Sequence, residues 1–408
     1  MLTPMPIPKI AELPFAKTPT PALQLPHRLV PVGLTQARLR GRQMLVPELD
    51  LAAYRFRALI DWIEFRMQFG RGVQVQQIQP VMLQVFGRNA HIVAEDKGPG
   101  GVFTRCRIKV QEPPNLATVA KAHQALVSAF GEIERSRVTG IEISIDAYPR
   151  TPCPIARARL LGAMQRTIWT DRGIWTDTNS RPRSVFGDAK QTFKLSPGPE
   201  MDADGDMRTE PGRHNVPVVD GTMLLGARYD DVMIRVMDKV IDKQRPDGTH
   251  QRLIESEKRV RIEATLRGHA LLEYGLVHTD ALHRVRFMTL QKDCFRFKLP
   301  TFDPRMPISK GVDLAHNRGQ ARQAETYLRA GVTGLMVRDT VMEKRRGKVR
   351  RQAIRALKAM GRPVPNASAA RRAPALVSYE DLNRRVVVAL QHLDKREQTA
   401  WRRMEGKL

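Results

Sequence analysis

The chain has 408 residues, with 68 lysines and arginines against 42 aspartates and glutamates and a formal net charge of +26. That length predicts two or three domains with ample core, and a content of 42% hydrophobic and 27% charged residues excludes wholesale disorder. No run of about 18 apolar residues occurs, which excludes a membrane-spanning helix, and the charge excess calls for a polyanionic partner, nucleic acid first.

Eight prolines fall within the first 31 residues. Proline lacks an amide donor and disfavours helix in the residue before it, so residues 1–35 are predicted to be an extended, disordered leader. The leader lacks the layout of a signal peptide. Three scattered cysteines, Cys106, Cys153 and Cys294, suit a reducing cytoplasm and exclude a disulfide framework or zinc cluster.

Within Asp61–Met67, Trp62, Glu64 and Arg66 alternate with Ile63, Phe65 and Met67, the period-2 pattern of a half-buried strand. Val81–Phe86 and Phe103–Val110 read as further strands, with a hairpin tip at Asp96–Gly101. Leu116–Ile133 reads as an amphipathic helix carrying Val119, His123, Leu126, Val127 and Phe130 on one side. Val138–Tyr148 alternates strongly and is predicted to be a strand; Pro154–Arg166 is predicted to be a helix. Residues 167–220 are polar and rich in Gly, Pro and Asp, the composition of a long loop or insertion. Thr222–Arg228 and Val232–Lys239 form a predicted hairpin around Tyr229, and Lys258–Leu266 is one more alternating strand. Residues 36–300 thus read as an α+β domain, a mostly antiparallel sheet with packed helices.

After Pro304 the composition shifts. Residues 318–372 carry 15 lysines and arginines against three acids, with Lys344, Arg345, Arg346, Lys348, Arg350 and Arg351 crowded together. Ala324–Ala330, a turn at Gly331 and a second helical stretch have the outline of a helix-turn-helix. Tyr379–Met404 reads as a final charged helix. The expectation for residues 301–408 is a basic helical region that grips nucleic acid.

The chemistry-bearing feature is the strand around Glu142–Tyr148. Alternate residues share a face, so Glu142, Ser144, Asp146 and Tyr148 point together while Ile143 and Ile145 enter the core. At a rise of about 3.3 Å per residue, Glu142 and Asp146 stand roughly 13 Å apart, too far to share one hard cation. A second ligand must come from a neighbouring strand, and Glu263, which shares a face with Arg261, is the best placed. Met233, Arg235, Met237 and Lys239 alternate on the hairpin, where the two cations can neutralise a phosphate. Solvated acids and ordinary surface charge are the alternative reading of the same pattern.

"VTGIEISIDA", "LLGARYDDVMIRVMDK" and "KRVRIEATLRGHALLEYGL", preceded by "DWIEFRM" and "RCRIKVQEPP", occur in an order that resembles rolling-circle replication initiators. The likeness is to the replication-initiation-factor class of plasmids and the gene II proteins of filamentous phages, and it covers about residues 60–300. It implies a metal-dependent endonuclease and strand transferase that binds the double-stranded origin, nicks one strand with a tyrosine and stays joined to the 5′-phosphate. It further implies Mg²⁺ or Mn²⁺ held by Glu142 and Glu263, with Asp146 behind them or as an alternative ligand. Lys239 becomes a catalytic residue in contact with the phosphate, and Arg235 and Arg261 become contacts to DNA, alongside the basic stretch that includes Lys344 and Arg351. Single-stranded DNA, a host helicase and polymerase, and a second copy of the chain are the partners it allows, in the cytoplasm and without a membrane.

Three positions depart from the family pattern, one of them Leu224, near a position often aromatic in the plasmid branch. Met237 stands where the family's Tyr-x-Lys tyrosine would be, leaving Tyr229 and Tyr148 as candidate nucleophiles, and Gly140 replaces an arginine. The paired histidines of other relaxases are absent, His278 and His283 being five apart, and no Walker A loop occurs. The competing expectation is a sequence-specific DNA-binding protein of the same fold that has lost its nucleophile. A basic RNA- or ribosome-associated protein is the third.

Overall fold

The structure is a computed structural model that describes residues 7–13, 23–33, 36–170, 182–186, 191–194, 222–242, 251–303, 319–336, 351–352, 355–356, 359–360 and 375–406. Three strands open the chain: β1 (Ile10–Leu13), β2 (Leu23–Pro31) and β3 (Gln43–Pro47). The long β4 (Tyr54–Val73) follows, then α1 (Val75–Phe86), β5 (His91–Ala94), β6 (Phe103–Gln111), α2 (Leu116–Phe130) and β7 (Glu134–Pro149). Next come α3 (Pro154–Thr167), β8 (Ile168–Trp169), β9 (Arg183–Phe186), β10 (Gln191–Lys194), β11 (Thr222–Leu225) and β12 (Val232–Lys239). A small hairpin, β13 (Ile241–Asp242) and β14 (Gln251–Arg252), precedes β15 (Arg259–Leu266) and α4 (Gly268–Glu273). The chain ends with α5 (Gln291–Cys294), β16 (Arg296–Phe302), α6 (319–336), β17 (Leu376–Ser378) and α7 (Glu380–Met404).

The fold is α+β, as the alternation and composition imply. Nine strands form one antiparallel sheet in the order β10-β9-β11-β12-β15-β7-β4-β6-β5, and a second sheet runs β1-β2-β3-β16-β17 with β8 on β16. At the centre of the large sheet, Ile141, Ile143, Ile145 and Ala147 of β7 pair with Leu266, Ala264, Ile262 and Val260 of β15, all fully buried. Residues opposite one another in an antiparallel pair project to the same side, so this register makes one face wholly apolar. Its reverse carries Glu142, Ser144, Asp146 and Tyr148.

Two expectations are corrected here. The leader is partly built into the second sheet: β1 pairs with β2 and β2 with β3, burying Ala11, Leu13 and Leu25 completely. The apolar spacing of Leu23, Leu25 and Leu29 outweighs the prolines. Pro26 lacks a donor, but its carbonyl still accepts from the Glu48 N–H at 2.8 Å, and Pro31 closes the strand, where a missing donor costs little. Val81–Phe86, expected as a strand, is the second half of α1. A reciprocal cap between Gln74 and Gln77 starts that helix, Ile78 and Met82 bury one face four residues apart, and Gly87 at φ 68° ends it. Valine-rich sequence favours strand locally, and the caps and the i, i+4 burial outweigh it.

Residues 301–408 do not form a separate appendage. β16 crosses the expected boundary at residue 300, and α7 is tied to the body by its own polar side chains. Asn383 bonds both the N–H and the carbonyl of Phe297, and Asp394 accepts from the N–H of Phe287. Arg396 donates to the Ala58 carbonyl, and Glu397 accepts the Leu116 N–H at 2.8 Å at the start of α2. In place of the turn expected from Gly331 to Thr333, α6 continues through these residues with a kink at Gly331, where φ is +70° and the glycine is pressed so close to Arg166 that a Cβ would stand 2.6 Å from its Cα. The buried Arg166 guanidinium joins α3, α6 and β1 through the carbonyls of Gly162, Leu328 and Glu12. Val332, Thr333 and Leu335, after the kink, are buried rather than presented to a groove. Lys344, Arg345, Arg346, Lys348 and Arg350 lie outside the described residues, as does most of 167–220; Arg351 is helical and exposed. No helix among the described residues is long and apolar enough to cross a membrane.

Glu397 has a measurable signature. Burial, only partly offset by the Leu116 N–H and Arg396, pushes its carboxyl up to about 7. Between the unfolded value near 4.5 and 7, the folded chain then binds more protons than the unfolded one, so this group's stabilising contribution is lost as pH rises through that window. Urea melts are expected to show higher stability at pH 5 than at pH 8, with the slope reduced in Glu397→Gln. An unchanged slope in that variant would contradict the assignment.

Candidate functional site

The polar face of the large sheet is set by four cross-strand rows. Register aligns Met233–Thr265–Glu142–Trp62, then Arg235–Glu263–Ser144–Leu59 and Met237–Arg261–Asp146–Arg57; in the fourth row the pairs Lys239–Arg259 and Tyr148–Arg55 meet where Arg259 lies over the Tyr148 ring. Each step along the sheet is two residues, about 6.6 Å. Glu142 and Glu263 therefore sit in adjacent rows on adjacent strands, as their spacing required, and both are nearly inaccessible.

The third member of the cluster comes from a bulge. Ile60 pairs with Ile143 but Trp62 with Glu142, so one extra residue, Asp61, is inserted in β4. A bulge re-aims a side chain, and here it delivers the Asp61 carboxylate to the polar face. Oxygens of Asp61, Glu142 and Glu263 all lie within 4.8 Å of one another. Continued alternation from Ile63 and Phe65 would have sent Asp61 into the core, so its role was hidden in the sequence.

Basic side chains answer the acids. Arg235 is ion-paired with Glu263 and approaches Glu142 at 3.6 Å. Arg261 holds Asp146 in a two-pronged pair at 2.6 and 2.8 Å and spends its third nitrogen on Asp61 at 2.7 Å. Arg259 adds a contact to Asp146 at 2.9 Å. Asp146 is thus clamped by two guanidiniums and stands outside the acidic cluster. Arg261, expected to touch DNA, is only 2% exposed and organises the acids instead. Burial, reinforced by Glu142 and Asp61 and opposed by Arg235, raises Glu263 to about 7; burial also raises Glu142 against the pull of Arg235 and Thr265. Proximity to Asp146, Asp61 and Glu263 raises Arg261 against the opposing effect of its burial.

The three clustered carboxylates form a hard-oxygen donor set suited to Mg²⁺ or Mn²⁺. The Ser144 hydroxyl, fully buried in the same row as Glu263, has no hydrogen-bond partner among the described residues. It adds a further oxygen beside the cluster. The guanidinium of Arg235 stands against two of the acids.

The candidate tyrosines stand apart from the acids. Tyr148 is four residues along β7 from Ser144, about 13 Å. Its hydroxyl lies 3.2 Å from Asp146, and Arg55 and Arg259 cover its ring. Burial and the Asp146 charge raise its pKa. Tyr229 is 84% exposed at the turn between β11 and β12, with Arg228 over its ring. Lys239 reaches Asp242 at 3.3 Å. Met237 is on the polar face, opposite Arg261. At Gly140 a Cβ would come 3.0 Å from the Trp62 ring, which Lys109 and Arg267 also contact. The glycine therefore makes room for that stack.

No family model matches the chain, and no curated protein matches it. Among solved structures, it is similar to a rolling circle replication initiator protein from Geobacillus stearothermophilus, at 11% identity and a TM-score of 0.30, over 65% of this chain and 97% of that one.

Proposed function

We propose that this protein is a rolling-circle replication initiator of plasmid or filamentous-phage type, which binds a double-stranded origin and nicks one strand. The observation that carries the reading is the cluster of Asp61, Glu142 and Glu263 on a sheet face otherwise dominated by arginine. The sequence motifs that resemble initiators supply the cluster's two glutamates. Asp61, Glu142 and Glu263 would hold Mg²⁺ or Mn²⁺, which when bound would neutralise a phosphate neighbouring the scissile one, two rows along the sheet from Tyr148.

The remaining work falls to the chain's own groups. Tyr148 is the proposed nucleophile. Its raised pKa keeps the phenol protonated at neutral pH, and Asp146 is positioned to accept the proton as oxygen attacks phosphorus. The bond to the 3′ oxygen breaks, that oxygen leaves as a 3′-hydroxyl after protonation, and the 5′-phosphate remains on the tyrosine. Arg55 and Arg259 flank the ring and neutralise the phosphate. A second reading, DNA binding without cleavage, is favoured by one observation: Met237, on the same face, replaces the tyrosine of the resembling family.

Supercoiled DNA carrying the chain's own origin, incubated with Mn²⁺, is expected to yield open circles and a covalent protein–DNA adduct. Tyr148→Phe is expected to lose the adduct, and Tyr229→Phe to retain it. The reverse pattern would transfer the role to Tyr229. Binding without nicks, converted to adduct formation by Met237→Tyr, would establish the second reading.

A further inference from the structure

A cleft of about 1250 Å³ opens between the first half of α7 and the start of β4, beside the ends of β2 and β3. It exceeds the roughly 300–1,000 Å³ of ordinary small-molecule sites. Six arginines line it: Arg28, Arg55, Arg57, Arg150, Arg384 and Arg385. None of the six is ion-paired to a carboxylate among the described residues. Three acids share the lining with the six arginines: Glu48, Asp50, whose side chain accepts from the Ala52 N–H at 2.9 Å, and Asp381 in the first turn of α7, so cations still outnumber carboxylates two to one. Unneutralised arginines on opposing walls are costly to assemble unless a polyanion joins them.

The cleft leads to Tyr148. Arg57 also lines a smaller pocket of about 320 Å³ that contains Asp146, Tyr148, Arg259 and Arg396. Arg396 feels this crowding: burial, then the charge of Arg57, lowers its pKa. The row of Arg55 and Tyr148 thus connects the cleft to the polar face of the sheet.

We infer that the cleft between α7 and β4 is a binding groove for the backbone of single-stranded DNA, leading the strand toward Tyr148. The inference takes the identity of the polyanion from the initiator reading, whereas the groove itself is argued from its walls and charge. Arg384 and Arg385 of α7 stand on one side and Arg55 and Arg57 of β4 on the other, an arrangement that suits a single strand between them. Phe56 and His392 in the lining offer ring surface to bases, and single-strand grooves combine a cationic track with such rings.

The test is fluorescence anisotropy of a labelled 12-nucleotide DNA single strand with the full chain in EDTA, across a range of salt. Arg384→Ala/Arg385→Ala is compared with Arg402→Ala/Arg403→Ala, which removes the same charge from the exposed end of α7. The cleft pair is expected to weaken binding at least about tenfold and to flatten the log–log salt slope by about 1.4 for two lost phosphate contacts. The control pair is expected to change affinity by less than about twofold. Equal effects from both pairs would overturn the groove. Tighter binding of the matching duplex or RNA, lost equally in the cleft pair, would overturn the single-stranded DNA assignment. Because no metal or cleavage enters this measurement, failure to nick would count against the initiator reading and leave the groove standing.

Discussion

A Glu263→Gln chain is expected to lose Mn²⁺-dependent nicking by at least about a hundredfold while retaining DNA binding within about twofold. Groups that merely support metal ligands commonly cost about 10–100-fold when removed, and a ligand itself costs more. The substitution is close to isosteric. Because burial already raises Glu263 to about 7, the folded chain carries this side chain about half neutral near that pH, and the amide oxygen can still accept from Arg235. Urea melts should therefore shift little, which separates lost chemistry from lost fold. Nicking at the parental rate would remove Glu263 from the reaction.

Arg261→Ala is expected to do the opposite, lowering stability by about 3–5 kcal/mol, because breaking one side of a buried pair leaves its partner charge uncompensated. Asp146, Asp61 and Glu263 all lose a neighbour at once. Arg261→Lys should recover only part of the loss, since an ammonium cannot span both oxygens of Asp146 and still reach Asp61. Denaturant unfolding checks this directly. A loss below about 1 kcal/mol would mean that solvent or neighbouring arginines replace the clamp, and that Arg261 is free for the DNA contact the sequence suggested.

Period-2 alternation identified the strands that carry the site. Ile141, Ile143 and Ile145 alternate with Glu142, Ser144 and Asp146, and nothing tertiary overrides that pattern in β7. Strand rise is a local constant, so the sequence already places Asp146 two rows from Glu142, and Glu263 is the acid that the structure brings beside Glu142. What stayed hidden depended on non-local geometry. Asp61 reaches the cluster only through a bulge in the pairing of β4 with β7, and its one mark in the sequence is a phase change, from Phe56, Ala58 and Ile60 to Ile63, Phe65 and Met67, which the pattern of Asp61–Met67 taken alone does not reveal. Arg57 and Arg384 meet across a cleft made by elements more than 300 residues apart. Composition located an excess of charge in residues 318–372, but it could not show that arginines spread from residue 28 to residue 385 would gather at one groove.

The same distinction explains the corrected elements. Pro26 and Pro31 obey the rule that proline avoids paired donors, yet β1 and β3 flank β2 so that the remaining backbone groups are satisfied. In α1, the Gln74–Gln77 cap and the burial of Ile78 and Met82 outweigh the strand preference of Val81 and Val85. Local propensity was read correctly in both places, and packing decided against it.

The central claim is that Asp61, Glu142 and Glu263 together hold one divalent cation, and Mn²⁺ titration by calorimetry on the full chain tests it most directly. The account predicts one Mn²⁺ per chain, with binding weakened at least about tenfold by Asp61→Asn, the ligand that only the bulge brings into place. Absence of binding to the unaltered chain, or undiminished binding by Asp61→Asn, would contradict it.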